Sequence, residues 1–150
     1  MASSAALVLT VVVVSCISQS KSIVILVASA VTDQQMNKLG YAFVSTSITS
    51  FDELCYFTGI TKLPSGGFSG CRKLVSVKLP SSVTTIESIN YNRCTAITEY
   101  HFLSTEPPVL GTDALTVRNA CTVYVPAGSK EKYAAEATWA SFVNNLVEEE

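Results

Sequence analysis

The sequence predicts an α+β repeat protein: a short solenoid built on a parallel strand ladder, with a β-rich element before it and a helical cap after it. Three observations carry that expectation. Apolar residues return in register every 23 positions, Gly- and Pro-bearing turns separate them, and two Val/Ile-rich runs precede them.

Composition sets the outer bounds. A chain of 150 residues has room for one domain with one core. Apolar residues make up 48% and charged residues 15%, which places it with globular chains and away from disordered ones. Ten Lys and Arg stand against twelve Asp and Glu, and the basic residues are scattered, so no basic face for nucleic acid is expected. Five cysteines without a CxxC, beside a single histidine, provide no zinc ligand set. They read as buried thiols, with one disulfide left open. No metal and no cofactor are expected.

The apolar stretch Ala5–Val14 lacks a preceding Lys or Arg, so it does not read as a signal peptide. Ser15, Ser18, Gln19, Ser20, Lys21 and Ser22 break it below the roughly 20 residues a transmembrane helix needs. Leu7–Val14 and Ile23–Ala28 instead predict a hairpin. Both runs are nearly continuous in apolar character, which implies cover on both faces. The cover is either the rest of the chain or other subunits, and Leu7, Leu9, Val11, Val13, Ile23 and Ile25 are the expected assembly residues of a homo-oligomer or a larger assembly. Thr32-Asp-Gln-Gln35 matches a capping box and Gly40 a stop, predicting a helix over 32–39. A strand is expected over Tyr41–Thr46. Residues 1–47 thus form a β-rich N-terminal cap or assembly element.

The ladder is predicted over 48–126. Stepping by 23 aligns Phe51, Leu74, Ile97 and Ala120; Leu54, Val77, Tyr100 and Val123; and Tyr56, Leu79, Phe102 and Val125. The same step aligns Phe68 with Tyr91 and Ala114, Cys71 with Cys94 and Val117, and Leu63 with Ile86 and Val109. Ile60 and Val83 share a column in which Glu106 is the exception. The spacing Leu74-x-x-Val77-x-Leu79 is that of a leucine-rich repeat, whose short strand buries alternate residues and exposes those between. One such unit cannot bury its apolar side alone. Gly66, Gly67, Gly70 and Pro80 punctuate the turns, and Pro107 and Pro108 interrupt the third copy.

The segment Phe68-Ser-Gly-Cys-Arg-Lys-Leu-Val-Ser-Val-Lys-Leu-Pro-Ser-Ser-Val-Thr-Thr-Ile86 resembles the BspA-type leucine-rich repeat of bacterial and protozoal surface proteins. Ile48–Gly59 is similar to the entry segment of such arrays. Val123-Tyr-Val-Pro126, with Tyr133 and Trp139, is similar to their terminal cap. The resemblance covers about 48–147 and implies display on a surface with attachment to a protein or glycan partner.

Residues 127–150 predict a helical cap with an acidic tail. Ser129 is placed to cap a helix from Lys130, and Thr138 a second one running through Leu146. Tyr133, Trp139 and Phe142 are available to cover the open end of the ladder. Glu148, Glu149 and Glu150 form the tail.

Binding is expected on the outward residues of the ladder: Ser76 and Lys78, Glu99 and His101, Thr122 and Tyr124, with Glu53 and Cys55 on the first copy. No catalytic residues are expected, because side chains projecting in parallel from an open ladder do not converge as a triad must. Gly66-Gly67 lacks a Walker lysine. Asp52 with Glu53, or the acidic tail, would attract a cation only incidentally. The chain therefore reads as a non-enzymatic adhesion module on the extracellular surface of a cell or particle. A bacteriophage virion component, docked through the apolar N-terminal segment, is the alternative, and an intracellular scaffold with reduced cysteines is the third reading.

Overall fold

The structure, a computed structural model, describes residues 31–39, 43–116 and 121–150. The Leu7–Val14 and Ile23–Ala28 hairpin and its six assembly residues lie outside the described residues.

Along the chain run α1 (Asp33–Leu39), β1 (Ser50–Phe51), a 3-10 segment (Asp52–Tyr56), β2 (Lys62–Leu63), β3 (Ser76–Leu79), β4 (Thr85–Ile86) and β5 (Glu99–Phe102). They are followed by β6 (Val109–Leu110), β7 (Thr122–Pro126), α2 (Lys130–Ala135), a second 3-10 segment (Ala137–Asn145) and β8 (Leu146–Glu149). Successive strands up to β7 alternate between two sheets. One is ordered β1-β3-β5-β7-β8 and the other β2-β4-β6, and every pairing is parallel. The first three coils each give one strand to each sheet, while β7 and β8 both join the first, and the stacked coils make the chain a short repeat solenoid.

The middle coils follow the apolar columns. Val77 pairs with Tyr100 and Tyr100 with Val123, while Leu79 pairs with Phe102. All five are buried, and the strand residues between them are half-exposed. A slip of one residue would turn every apolar side chain outward, and that penalty holds the register. Phe43 stacks on Phe68 and Phe68 on Tyr91, with ring centroids 5.2 and 5.0 Å apart, so aromatic packing runs along the ladder axis. Cys71 donates its thiol to the Phe43 carbonyl at 2.8 Å, and Cys94 to that of Phe68 at 3.1 Å. Cys55, Cys71, Cys94 and Cys121 are all unpaired.

The first coil departs from the sequence columns. Phe51, not Leu54, pairs with Val77. The chain then closes into the 3-10 segment, where Phe57 donates its amide to Leu54, and this tighter turn carries Leu54 into the core. Tyr56, placed by the 23-residue step beside Leu79, is instead 41% exposed. Glu53 and Cys55 consequently sit on the 3-10 segment, not on a strand.

The third coil slips by one residue in the short sheet. Ile86 pairs with Leu110, so Val109, aligned with it by the sequence, is 50% exposed. The slip persists through the next turn. Gly66 donates to Ser88 and Phe68 to Asn90, whereas the equivalent Ile89 and Tyr91 donate to Thr112 and Ala114. The counterpart of Tyr91 is thus Leu115, with Ala114 buried beside it. The extra residue enters near Pro107 and Pro108, whose fixed φ and missing N–H prevent regular pairing. Glu106 stands in solvent, ion-paired with Lys132.

The two ends are closed by different devices. Helix α1 forms inside the predicted 32–39, and the Gln35 side chain accepts the Thr32 amide at 2.8 Å as a capping box requires. Asp33 then reaches the first coil. Its Oδ1 accepts the amides of Thr61 and Lys62 at 2.6 and 3.0 Å, and its Oδ2 accepts the Thr61 hydroxyl at 2.6 Å. Phe43–Thr46 is a turn, not the expected strand: Thr46 donates its amide to Phe43, and Ser45 sits at φ 56. Its conformation repeats at Gly70 (φ 77) and Arg93 (φ 62) in the following coils.

At the other end, α2 starts at Lys130, but Ser129 is buried and makes no capping bond. Glu148 accepts the Lys130 amide at 2.9 Å instead. The second helix is 3-10, capped by Glu136, whose carboxylate accepts the Thr138 amide. It stops at Asn145, because Leu146–Glu149 form a strand beside β7 with Leu146 opposite Val123. Most of the expected acidic tail is therefore ladder. Trp139 and Tyr133 close the end: Trp139 donates Nε1–H to Pro108 at 2.8 Å, and the Tyr133 hydroxyl donates to Ser104 at 2.8 Å. Phe102, Tyr133 and Phe142 pack edge-on against the Trp139 ring.

Candidate binding face

Alternation along β3, β5 and β7 leaves the outward residues in two rows. Ser76, Glu99 and Thr122 are in register, and so are Lys78, His101 and Tyr124. All six sequence-predicted residues are brought together on one face and are half-exposed. The His101 and Tyr124 rings stack at 4.5 Å and 14° between planes.

The His101 ring is held at both nitrogens. Nε2 lies 3.5 Å from Glu99 on its own strand, and Nδ1 lies 3.1 Å from Glu149 on β8. Glu149 thereby reaches over β7 to β5. Glu149, in register with Pro126, adds beside His101 an acidic group that the sequence, read as a tail, does not place there.

Next to His101 the face is indented. A cavity of about 350 Å³ is lined by Ser76, Lys78, Glu99 and His101 from the strands, and by Asp52, Glu53, Cys55 and Tyr56 from the 3-10 segment. That volume is at the small end of ligand sites, which run ~300–1,000 Å³. The Ser76 hydroxyl donates to Asp52 at 3.4 Å and joins the two walls. Glu53 and Cys55 thus reach the face, although from a 3-10 turn. Asp52 and Tyr56 become members for the same reason, and no columnar pattern marks them. Glu149 could be found by one further step of 23, which carries Pro126 to Glu149.

The titratable groups of the lining are tuned by burial and by one another. Burial pushes the Cys55 thiol above its usual value of 9.0, and the carboxylates of Asp52 and Glu53 add to that against the opposing pull of Lys78. A protonated thiol is a poor nucleophile. Both nitrogens of His101 face carboxylates, not Cys55 or Ser76. Elsewhere, burial pushes Cys121 up to about 11, with Glu99 contributing, while its hydrogen bond with Cys71 and burial raise Cys94. Among the described residues no group of three His, Cys, Asp or Glu side chains is arranged to hold a metal ion. Among them, too, no helix is long and apolar enough to cross a membrane.

None of the curated proteins compared with the chain matches it. The family model of the BspA-type leucine-rich repeat region matches residues 35–131 in 6 copies. The match begins at α1, in the part that the sequence resemblance leaves outside the repeats. Repeats of this family are generally non-enzymatic and serve protein interaction. With almost two thirds of its length matched and its coils stacked in parallel sheets, the chain belongs to the BspA-type leucine-rich-repeat family.

Proposed function

We propose that this chain is an adhesion module, displayed on the surface of a cell or particle, that binds a partner protein through the outward rows Ser76/Glu99/Thr122 and Lys78/His101/Tyr124. The carrying observation is the indented, polar and aromatic face, whose side chains are fixed by strand register and by the His101 contacts to Glu99 and Glu149. Side chains already ordered before binding lose little entropy in the complex. In this reading 48–126 is a ladder of 23-residue units. Residues 127–150 close it and lend it one strand. Residues 1–47 anchor the module, with assembly through the apolar segment making an oligomer. A glycan partner would use the same face, and the virion reading docks the chain through its apolar N-terminal segment.

Changing Lys78, His101 and Tyr124 together to Ala should abolish adhesion of the labelled chain to cells or surfaces that the unaltered chain coats, with the unfolding midpoint little changed. Undiminished adhesion would remove the face from consideration. Fractionation into envelope, released particles and cytosol tests display, and recovery in the cytosol alone would overturn it.

A further inference from the structure

We propose that the indentation beside His101 receives an arginine side chain from an extended segment of the partner protein, an inference that rests on the ladder face being the contact surface. Charge carries the argument. Asp52, Glu53 and Glu99 line the cavity against one ammonium, Lys78, and His101 is already held between Glu99 and Glu149. Among the described residues, Asp52 and Glu53 have no cationic partner and Lys78 makes no ion pair. The face therefore carries an uncompensated negative charge that a basic segment would complement.

The shape of the lining selects the cation. The acids stand on two walls of one cavity, joined by the Ser76 contact to Asp52. The acids come from two elements, Asp52 and Glu53 from the 3-10 segment and Glu99 from β5. A guanidinium offers five donors in a planar fork and satisfies carboxylates on two sides, where an ammonium presents a point charge. It also stacks on aromatic faces. Tyr56 supplies an exposed ring in the lining, and the His101–Tyr124 stack supplies a flat surface beside it. Lys78 opposes the incoming charge and favours the arginine that reaches the acids over the bulk of basic surfaces that do not.

An array of blocked nonapeptides of random sequence, probed with the full chain, tests this. The tightest binders should contain arginine. Replacing that arginine by citrulline, its uncharged isostere, should weaken binding about tenfold or more, as loss of charged hydrogen bonds does. The Asp52→Asn/Glu53→Gln double variant should show the same loss, and Lys78→Gln, which removes a like charge from the site, should tighten binding at low salt and steepen its weakening by added salt. Binders that lack arginine, or that tolerate citrulline, yet are lost on His101→Ala/Tyr124→Ala would overturn the arginine proposal and leave the face in place. Binders indifferent to every one of these substitutions would remove the face itself, and an array without binders would overturn the proposal.

Discussion

The middle coils and the two ends of this solenoid solve the same problem differently. In the coils carrying β3 and β5, each strand's backbone groups and apolar side chains are met by the next coil, so one pattern, repeated, suffices. Among the described residues the ends are built differently. A carboxylate takes over at the start, where Asp33 accepts the two amides of Thr61 and Lys62 that an earlier coil would otherwise engage. At the finish, a tryptophan cluster covers the apolar columns while β8 extends the main sheet. Repetition is cheap in sequence terms, whereas closure demands individual residues.

The contrast is sharpest at Trp139. Trp139→Ala removes a fully buried ring and leaves the Pro108 carbonyl without its donor, so about 3–5 kcal/mol of stability should go. Urea unfolding measures it. A loss under about 1 kcal/mol would show that the end coil does not need this plug. Gly111→Ala comes next. A Cβ there would lie 2.5 Å from the Ser88 backbone nitrogen, so the slipped third coil tolerates only glycine; about 1–3 kcal/mol of overpacking is expected. An unchanged midpoint would mean that the slip relaxes freely.

A third substitution should stabilise. Ile89, a β-branched residue, sits at φ 53 in a turn whose counterpart in the previous coil is Gly66 at φ 70. Because Ile89 is 44% exposed, Ile89→Asn relieves backbone strain at small packing cost and should add about 1 kcal/mol. A drop in melting temperature would refute that.

The smallest effect concerns the carboxylate end. Burial acts to raise Asp33, but the hydrogen bonds from the Thr61 hydroxyl and the Thr61 and Lys62 amides outweigh it and hold the group below 3.8. A folded value below the unfolded one, ~3.9, means stability present above that value and lost as pH falls through the folded one. Asp33→Asn should therefore melt lower than the unaltered chain at pH 6, with the two curves converging as pH falls below the folded value. A gap that stays constant over this range would show that charge is not what closes this end.

How much of this was legible beforehand follows the same division. Val77, Tyr100 and Val123 could be aligned from the 23-residue step because each is buried by its equivalents, and six outward residues followed from the alternation. Phe51 and Leu54 are both apolar and three residues apart, so spacing does not tell which one the strand uses; the 3-10 turn decides. Val109 and Leu110 are equally apolar, and the one-residue slip at Pro107-Pro108 chooses between them. Ser129 has the composition of a cap, yet the Glu148 carboxylate arrives from β8 and takes the Lys130 amide.

By itself the sequence determined the repeat, the alternation and the row Ser76, Lys78, Glu99, His101, Thr122 and Tyr124, because periodic burial is a local rule that each coil obeys in the same way. Tertiary structure alone decided the cavity. Asp52 and Tyr56 belong to it because a 3-10 turn swings them over β3, and Glu149 belongs to the face because a strand formed where composition reads as a solvated tail. Such contacts join side chains from different elements, and the 23-residue step places Glu149 beside Pro126 without showing that it reaches His101. They exist only once the coils have stacked and the ends have closed.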